Sequence, residues 1–261
     1  MSEIVKIAIQ AALKAGEILR KSFMAPCQIS VKSGFHNLVT EFDKAAELAI
    51  INEIKLHYPD HSFLAEESGG SPNHDSVLWI IDPLDGTLNF VHHIPLFSVS
   101  IAAYFEQDLQ VGVIYIPMVN ELFVAVKGKG ATLNGCKISV SQTQTLANAL
   151  HGTGFPSGSE DDVLDHLDPL INIVELGAPF RDLGSAAINL AYVAAGRLDT
   201  FWIPQLQPWD MAAGILLVEE AGGIATRYDG ATPDIFSESS LVATNGILHQ
   251  EMKDQFRVEL F

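Results

Sequence analysis

The chain has 261 residues, room for one large domain or two small lobes, and its 48% apolar content supplies a sizeable core and excludes a disordered polymer. With 32 acidic residues against 15 basic ones, the formal charge of −17 repels a nucleic-acid backbone, and it repels an anionic substrate too unless cations intervene. No apolar run is long enough to span a bilayer, and two cysteines without C-x-x-C spacing, Cys27 and Cys136, read as buried thiols in a reducing cytoplasm.

Charged Glu3, Lys6, Lys14 and Glu17 break up the N-terminal apolar residues, so these do not form a signal-peptide core. Ile4, Ala8, Ala11, Ala12, Ala15, Ile18 and Leu19 instead share one face of a helix over residues 3 to about 24. Residues 29–40 read as irregular or extended, with a turn at Ser33-Gly34, and a second helix follows from Thr40 to His57 with Leu48, Ile51 and Ile54 inward. Asp43 falls in its first turn, where an acid is favourable with no function at all. Ser62–Leu64 is a short strand leading into Ala65-Glu66-Glu67-Ser68-Gly69-Gly70, and Asn73–Ser76 is loop.

The apolar run Val77–Ile81 then predicts a buried strand, which Pro83 should terminate because it cannot donate to a ladder. Asp82 and Asp85 stand three residues apart at its mouth and repel each other unless a cation sits between them. Gly86 allows close backbone approach, and the Gly86 and Thr87 N–H groups suit an anionic oxygen. Asp-Pro-x-Asp-Gly alone is also ordinary turn chemistry, so further acids are needed to make a metal-and-phosphate site. Phe97–Tyr104, Gln110–Ile116 and Leu122–Val126 read as an antiparallel meander, and Gly128–Gly135 as a hairpin, since it lacks nucleotide-loop spacing. Leu146–Gly152 predicts a strand, 160–176 a helix interrupted at Asp168-Pro169, and Pro179–Leu183 a short extended piece. A helix opens after Gly184-Ser185 and closes at Gly196; Leu198–Ile203 is a strand. Pro208 begins a helix that ends at Gly222-Gly223, and strands at 224–227 and 241–244 precede a last helix. His92 and His93, adjacent in sequence, cannot both face one metal, so His92 is assigned to structure, and Trp79 and Trp209 to the core.

Asp82-Pro83-Leu84-Asp85-Gly86-Thr87 matches the D-P-[IL]-D-G-T signature of the inositol monophosphatase family, and Trp209-Asp210-Met211-Ala212-Ala213-Gly214 matches its W-D-x-A-A-G signature. Leu38–Asp43 and Ala65-Glu66-Glu67-Ser68 supply two further matches in the family's order, so the chain resembles that family over essentially its whole length. The resemblance implies an α+β fold, a layered α-β-α-β-α sandwich with mixed and antiparallel sheets, as one phosphatase domain over residues 1–261. It also implies a homodimer and inhibition by lithium.

The acids Glu66, Asp82, Asp85 and Asp210 form an all-oxygen donor set, which favours Mg²⁺ over Zn²⁺, with Mn²⁺ as a substitute. By resemblance, Glu66, Asp82, the Leu84 carbonyl and Thr87 surround a first ion and its water; Asp82, Asp85 and Asp210 hold a second; a third, weaker ion is recruited near Glu66. Glu66 and Thr87 orient the attacking water, and Asp43 fixes the Thr87 hydroxyl. The phosphate rests on Gly86 and Thr87, while Gly184, Ser185 and Ala186, with Asp85 and Asp210, meet the rest of the substrate. Leu88-Asn89-Phe90 after the central motif resembles the inositol monophosphatase branch rather than the branch acting on 3′-phosphoadenosine nucleotides. One departure is Ile203, where many family members carry a Glu that binds ring hydroxyls. The implied activity is Mg²⁺-dependent hydrolysis of inositol 1-phosphate or a related small polyol or sugar phosphate. A nucleotide or histidinol phosphate phosphatase and a regulatory partner-binding protein remain open as alternatives. Neither a membrane nor direct nucleic-acid contact is expected.

Overall fold

The computed structural model describes residues 2–26, 28–31, 38–70, 76–155 and 167–256. Cys27, the Ser33-Gly34 turn, Asn73 and the first part of the predicted 160–176 helix lie outside them. In chain order the elements are α1 (Ser2–Ser22), β1 (Ile29–Val31), β2 (Leu38–Thr40), α2 (Glu41–His57), β3 (Ser62–Ala65), β4 (Leu78–Asp85), α3 (Thr87–Val91), β5 (Ser98–Phe105) and β6 (Asp108–Ile116). They continue as β7 (Glu121–Val126), β8 (Gly130–Leu133), β9 (Cys136–Lys137), β10 (His151–Thr153), α4 (Asp168–Glu175), β11 (Phe180–Arg181), α5 (Ala186–Ala194) and β12 (Thr200–Leu206). The last are α6 (Pro208–Glu220), β13 (Ile224–Thr226), β14 (Ser239–Thr244) and α7 (His249–Asp254).

Two sheets carry the architecture. A seven-stranded sheet runs β3-β4-β5-β6-β7-β8-β9, antiparallel except for β3 beside β4. A five-stranded sheet runs β11-β10-β12-β14-β13 and mixes parallel and antiparallel pairs. Trp79 and Ile81 of β4 pack on one side with Ile7, Ala11 and Ile50 of α1 and α2, whereas Leu78 and Ile80 face the other side, toward α5 and α6. Those two helices fill the space between the sheets, and Ile173, Leu248 and Met252 near α4 and α7 cover Trp202 and Val242 on the far face. The order is α-β-α-β-α, as the resemblance implies.

The small residues of the Trp-Asp-x-Ala-Ala-Gly segment have a packing reason. A side chain at Gly112 would meet the Ala213 carbonyl at 2.7 Å, and one at Gly214 would overlap Leu190. Helix α6 therefore lies directly on β6 and α5, which sets where its N-terminus ends up. Four expectations need correction. Leu48 is exposed; the inward face of α2 is Ala46, Ile50 and Ile54 together with the acids Asp43, Glu47 and Glu53. The strand expected over Leu146–Gly152 is a single 3-10 turn at Leu146–Asn148 followed by β10. Cys136 is exposed. Strand β4 does not stop at Pro83 but runs to Asp85, and the site depends on how it does so.

Candidate active site

Parallel pairing places Ala65 opposite Ile81, and the ladder continues with the Glu66 N–H donating to the Ile81 carbonyl at 3.1 Å. Glu66 thus arrives beside Asp82. A mutual Ala65–Gly69 hydrogen-bond pair closes the acidic loop behind it. In β4, Asp82 pairs with Ser100 and Asp85 with Ser98, so three steps on one strand match two on its neighbour. That is a bulge, and it absorbs Pro83, which a regular ladder would reject. Residues three apart in a flat strand point to opposite faces; the bulge brings Asp82 and Asp85 to the same one. Gly86 follows with φ +96°, and a Cβ there would press on the Leu96 and Gly184 carbonyls at 3.1 and 3.2 Å, so only glycine fits.

Helix α6 brings Asp210 to this point. The Ser100 hydroxyl donates to the Trp209 carbonyl at 3.2 Å, and the Gln207 N–H donates to Asp210 Oδ2 at 2.8 Å, which caps the helix. Helix α5 approaches from the same layer, and Asp85 Oδ2 accepts from the Ser185 hydroxyl at 2.5 Å and the Ala187 N–H at 2.7 Å. The Ala186 N–H also bonds the Asp85 carboxylate. From the opposite layer, Asp43 is fully buried; its Oδ2 accepts from the Thr40 N–H at 2.8 Å, and its Oδ1 lies 3.1 Å from the Thr87 hydroxyl. That hydroxyl is equally near the Leu84 carbonyl, at 3.0 Å, and donates to one of the two at a time.

Electrostatically the acids are one system. Asp82 is 2% exposed, and its carboxyl is pushed well above the usual carboxylate range by burial and then by the charges of Glu66, Asp85 and Asp210. Asp210 is raised for the same reason, burial first and then Asp85. Burial lifts Asp85 to about 6 in spite of its bonds to Ser185, Ala187 and Ala186. Asp43 is raised by burial against the pull of its threonine partners. Hydrogen bonds join Asp82 to both Glu66 and Asp210. The carboxyls thus meet in pairs: among the described residues, no three His, Cys, Asp or Glu side chains are already gathered around one point as metal ligands. A cluster this buried must be neutralised by protons or by cations, and oxygen donors alone suit a hard divalent cation. On charge and donor chemistry the residues fit such an ion.

Glu66, Asp85, Gly86, Thr87 and Asp210 line one end of a cavity of about 640 Å³, with Gly184, Ser185 and Ala186 also on its wall. Asp82, Asp43 and the Leu84 carbonyl lie behind this surface. The same cavity also has apolar lining from Ile203, Phe155, Leu206 and Leu88. Sequence reasoning missed its other polar members. Asp182 accepts from the Gly184 N–H at 2.9 Å, and Gln205 of β12 and Gln207, which caps α6, both donate to Glu238. Their only signal in the sequence was proximity to Ser185 and Asp210. Trp209 is half-buried: it packs against the core, as expected, and also forms part of the cavity wall. Trp79 is fully buried, with its indole N–H on His61 Nδ1 at 3.0 Å, and His92 is exposed.

A profile of the inositol monophosphatase family matches residues 1–259. A protein of Escherichia coli named Nus factor SuhB is 41% identical over 262 residues, spanning 100% of this chain and 98% of that protein. Among solved structures, the extragenic suppressor protein suhB of Bartonella henselae matches at 39% identity with a TM-score of 0.93, covering 99% of this chain and 100% of its own. The IMPase of Thermotoga maritima matches at 36% identity with a TM-score of 0.89, covering 98% and 97% respectively.

Proposed function

Because this chain belongs to the inositol monophosphatase family, we propose that it is a Mg²⁺-dependent phosphomonoesterase that cleaves inositol 1-phosphate or a related small polyol or sugar phosphate. The observation that carries this reading is the meeting of Glu66, from the loop after β3, with Asp82 and Asp85 of β4 and Asp210 of α6 at one cavity, Asp82 behind its wall and the other three lining it. Four carboxyls whose charges oppose one another, Asp82 buried and the other three half-buried, are a costly arrangement for a fold alone.

Glu66, Asp82, Asp85, Asp210 and the Leu84 carbonyl would hold two or three Mg²⁺ ions, with Mn²⁺ able to replace them. Such ions offset phosphate charge, lower the pKa of a bound water and stabilise a departing alkoxide. Glu66 and Thr87 would orient the attacking water, and the Glu66 carboxylate would accept its proton. The Thr87 hydroxyl is steered by Asp43, so its lone pairs face the attacking side. The Gly86 and Thr87 N–H groups cradle the phosphoryl oxygens. Ser185 and the first N–H groups of α5 hold Asp85 in place, and Gly184, Ser185 and Ala186 border the alcohol being released. Ile203, 9% exposed on that border, cannot accept hydroxyl hydrogen bonds, which favours alcohols less hydroxylated than inositol.

A phosphate-release assay over a panel of monoesters, with Mg²⁺ and then with chelator, tests the reading: release in the first and none in the second is expected. Silence across the panel with ample Mg²⁺ would contradict it. A homodimer and lithium inhibition follow from the same reading, and sedimentation and a dose–response curve check them. The relatives named Nus factor favour a second role as a regulator that docks a macromolecular partner, and they weigh against the expectation, drawn from charge alone, of no nucleic-acid contact.

A further inference from the structure

Glu47 lies outside every set assigned above, yet only 4% of it is exposed. A carboxylate taken out of water is costly unless hydrogen bonds replace its hydration. Here the replacement is specific: Glu47 Oε2 accepts the backbone N–H of Glu67 at 2.8 Å. That amide belongs to the peptide unit directly after Glu66, so with the Glu66 N–H held by Ile81 on the other side, it fixes the backbone from which the Glu66 side chain projects.

The position of Glu47 on its helix gives this bond a second meaning. Residues four apart lie one above the other on the same face, and one turn earlier stands Asp43, whose Oδ1 faces the Thr87 hydroxyl at 3.1 Å. The start of the helix is itself fixed, since Thr40 N–H donates to Asp43 Oδ2 at 2.8 Å and the Thr40 hydroxyl accepts the Phe42 N–H at 3.1 Å. One rigid helix therefore grips two segments: the loop after β3, through Glu47, and the first residue of α3, through Asp43. Those segments carry Glu66 and Thr87, the two side chains that the proposed function sets beside the attacking water.

Building on the phosphatase reading, we propose that Glu47 is a positioning residue that sets the placement of Glu66 relative to Thr87 through the Glu67 amide. It touches neither substrate nor ion. What it supplies is an acceptor oxygen at a fixed height on α2, and its charge is secondary. A glutamine in its place keeps the acceptor, whereas an alanine or a methionine removes it.

The test compares Glu47→Gln, Glu47→Ala and Glu47→Met by steady-state kinetics on the best ester of the panel, by Mn²⁺ titration of metal-stripped protein followed by electron paramagnetic resonance, and by melting temperature. Glu47→Ala is expected to lower kcat about 10- to 100-fold with KM little changed, and to weaken Mn²⁺ binding by a similar factor, as loss of a group supporting a metal ligand does. Glu47→Gln should stay near wild type in both. Glu47→Met fills the space without an acceptor and should behave like alanine if alanine itself does not fold. Wild-type kcat and Mn²⁺ affinity in Glu47→Ala or Glu47→Met, whatever the melting temperature, would overturn the assignment, as would a glutamine variant as impaired as alanine. If the wild type releases no phosphate from any ester, the phosphatase reading fails separately, and the Mn²⁺ titration still decides whether Glu47 positions Glu66.

Discussion

Asp85 and Asp210 receive hydrogen bonds from Ser185, Ala187 and Gln207 that an asparagine oxygen also accepts, while the asparagine carries no charge to repel its neighbours. Asp85→Asn and Asp210→Asn should therefore abolish phosphate release yet leave the melting temperature in metal-free buffer unchanged or higher, read by calorimetry; a large fall would contradict the account. Ile203 supports a change in the opposite direction. Glutamate there would add an acceptor at the alcohol end of the cavity, and Ile203→Glu is expected to raise kcat/KM for inositol 1-phosphate relative to a less hydroxylated ester by about tenfold. At this scale the motif acids were legible in the sequence, and Glu66, Asp82, Asp85 and Asp210 come close enough in the fold for their charges to act on one another. Glu47 was not legible, because an apolar-periodicity reading places leucine inward, and only the tertiary position of the Glu67 amide makes an acid preferable to Leu48 at that face.

Among the elements, β4 and α6 carry the most consequence. The bulge in β4 could not be read from Pro83 alone, since proline equally marks the end of a strand, and the pairing with Ser98 and Ser100 decides between the two. The adjacency of Glu66 and Asp82 likewise depends on a parallel register that spacing cannot reveal. In α6, the Ala-Ala-Gly run signals close packing in sequence, and the structure supplies the neighbours. Gly214→Val would force α6 off Leu190; it should cost about 1–3 kcal/mol in urea unfolding and lower activity by displacing Asp210. Helix α7, packed on the second sheet, holds a pH-dependent component. His249, 8% exposed, is bracketed by Thr226 and Thr244 at 3.1 Å, and burial, then Lys253, lowers its pKa to about 4. The folded protein resists a proton that the unfolded chain takes near pH 6.5, so this contribution is constant above that pH and stability is lost as pH falls toward 4. The loss is at most about 3 kcal/mol. His249→Gln should flatten the dependence of the urea midpoint between pH 6.5 and 4, and an unchanged slope would assign it elsewhere.

Over the whole molecule, a charge of −17 and an anionic substrate coexist only if the cavity is locally neutralised. The layer order was legible from the motifs through the family resemblance; helix and strand periodicity alone would have left the stacking of two sheets undetermined. Binding of Mg²⁺ to the folded protein alone should raise its stability, by about 2.7 kcal/mol at a hundredfold excess over Kd, measurable as a chelator-reversible rise in melting temperature. Crystals soaked in Mn²⁺ and measured at its absorption edge give the most direct test of the central claim. Anomalous peaks among Glu66, Asp82, Asp85 and Asp210, about 2.0–2.3 Å from their oxygens, are the expected result for such a cation; a featureless map in that end of the cavity at saturating Mn²⁺ would contradict it.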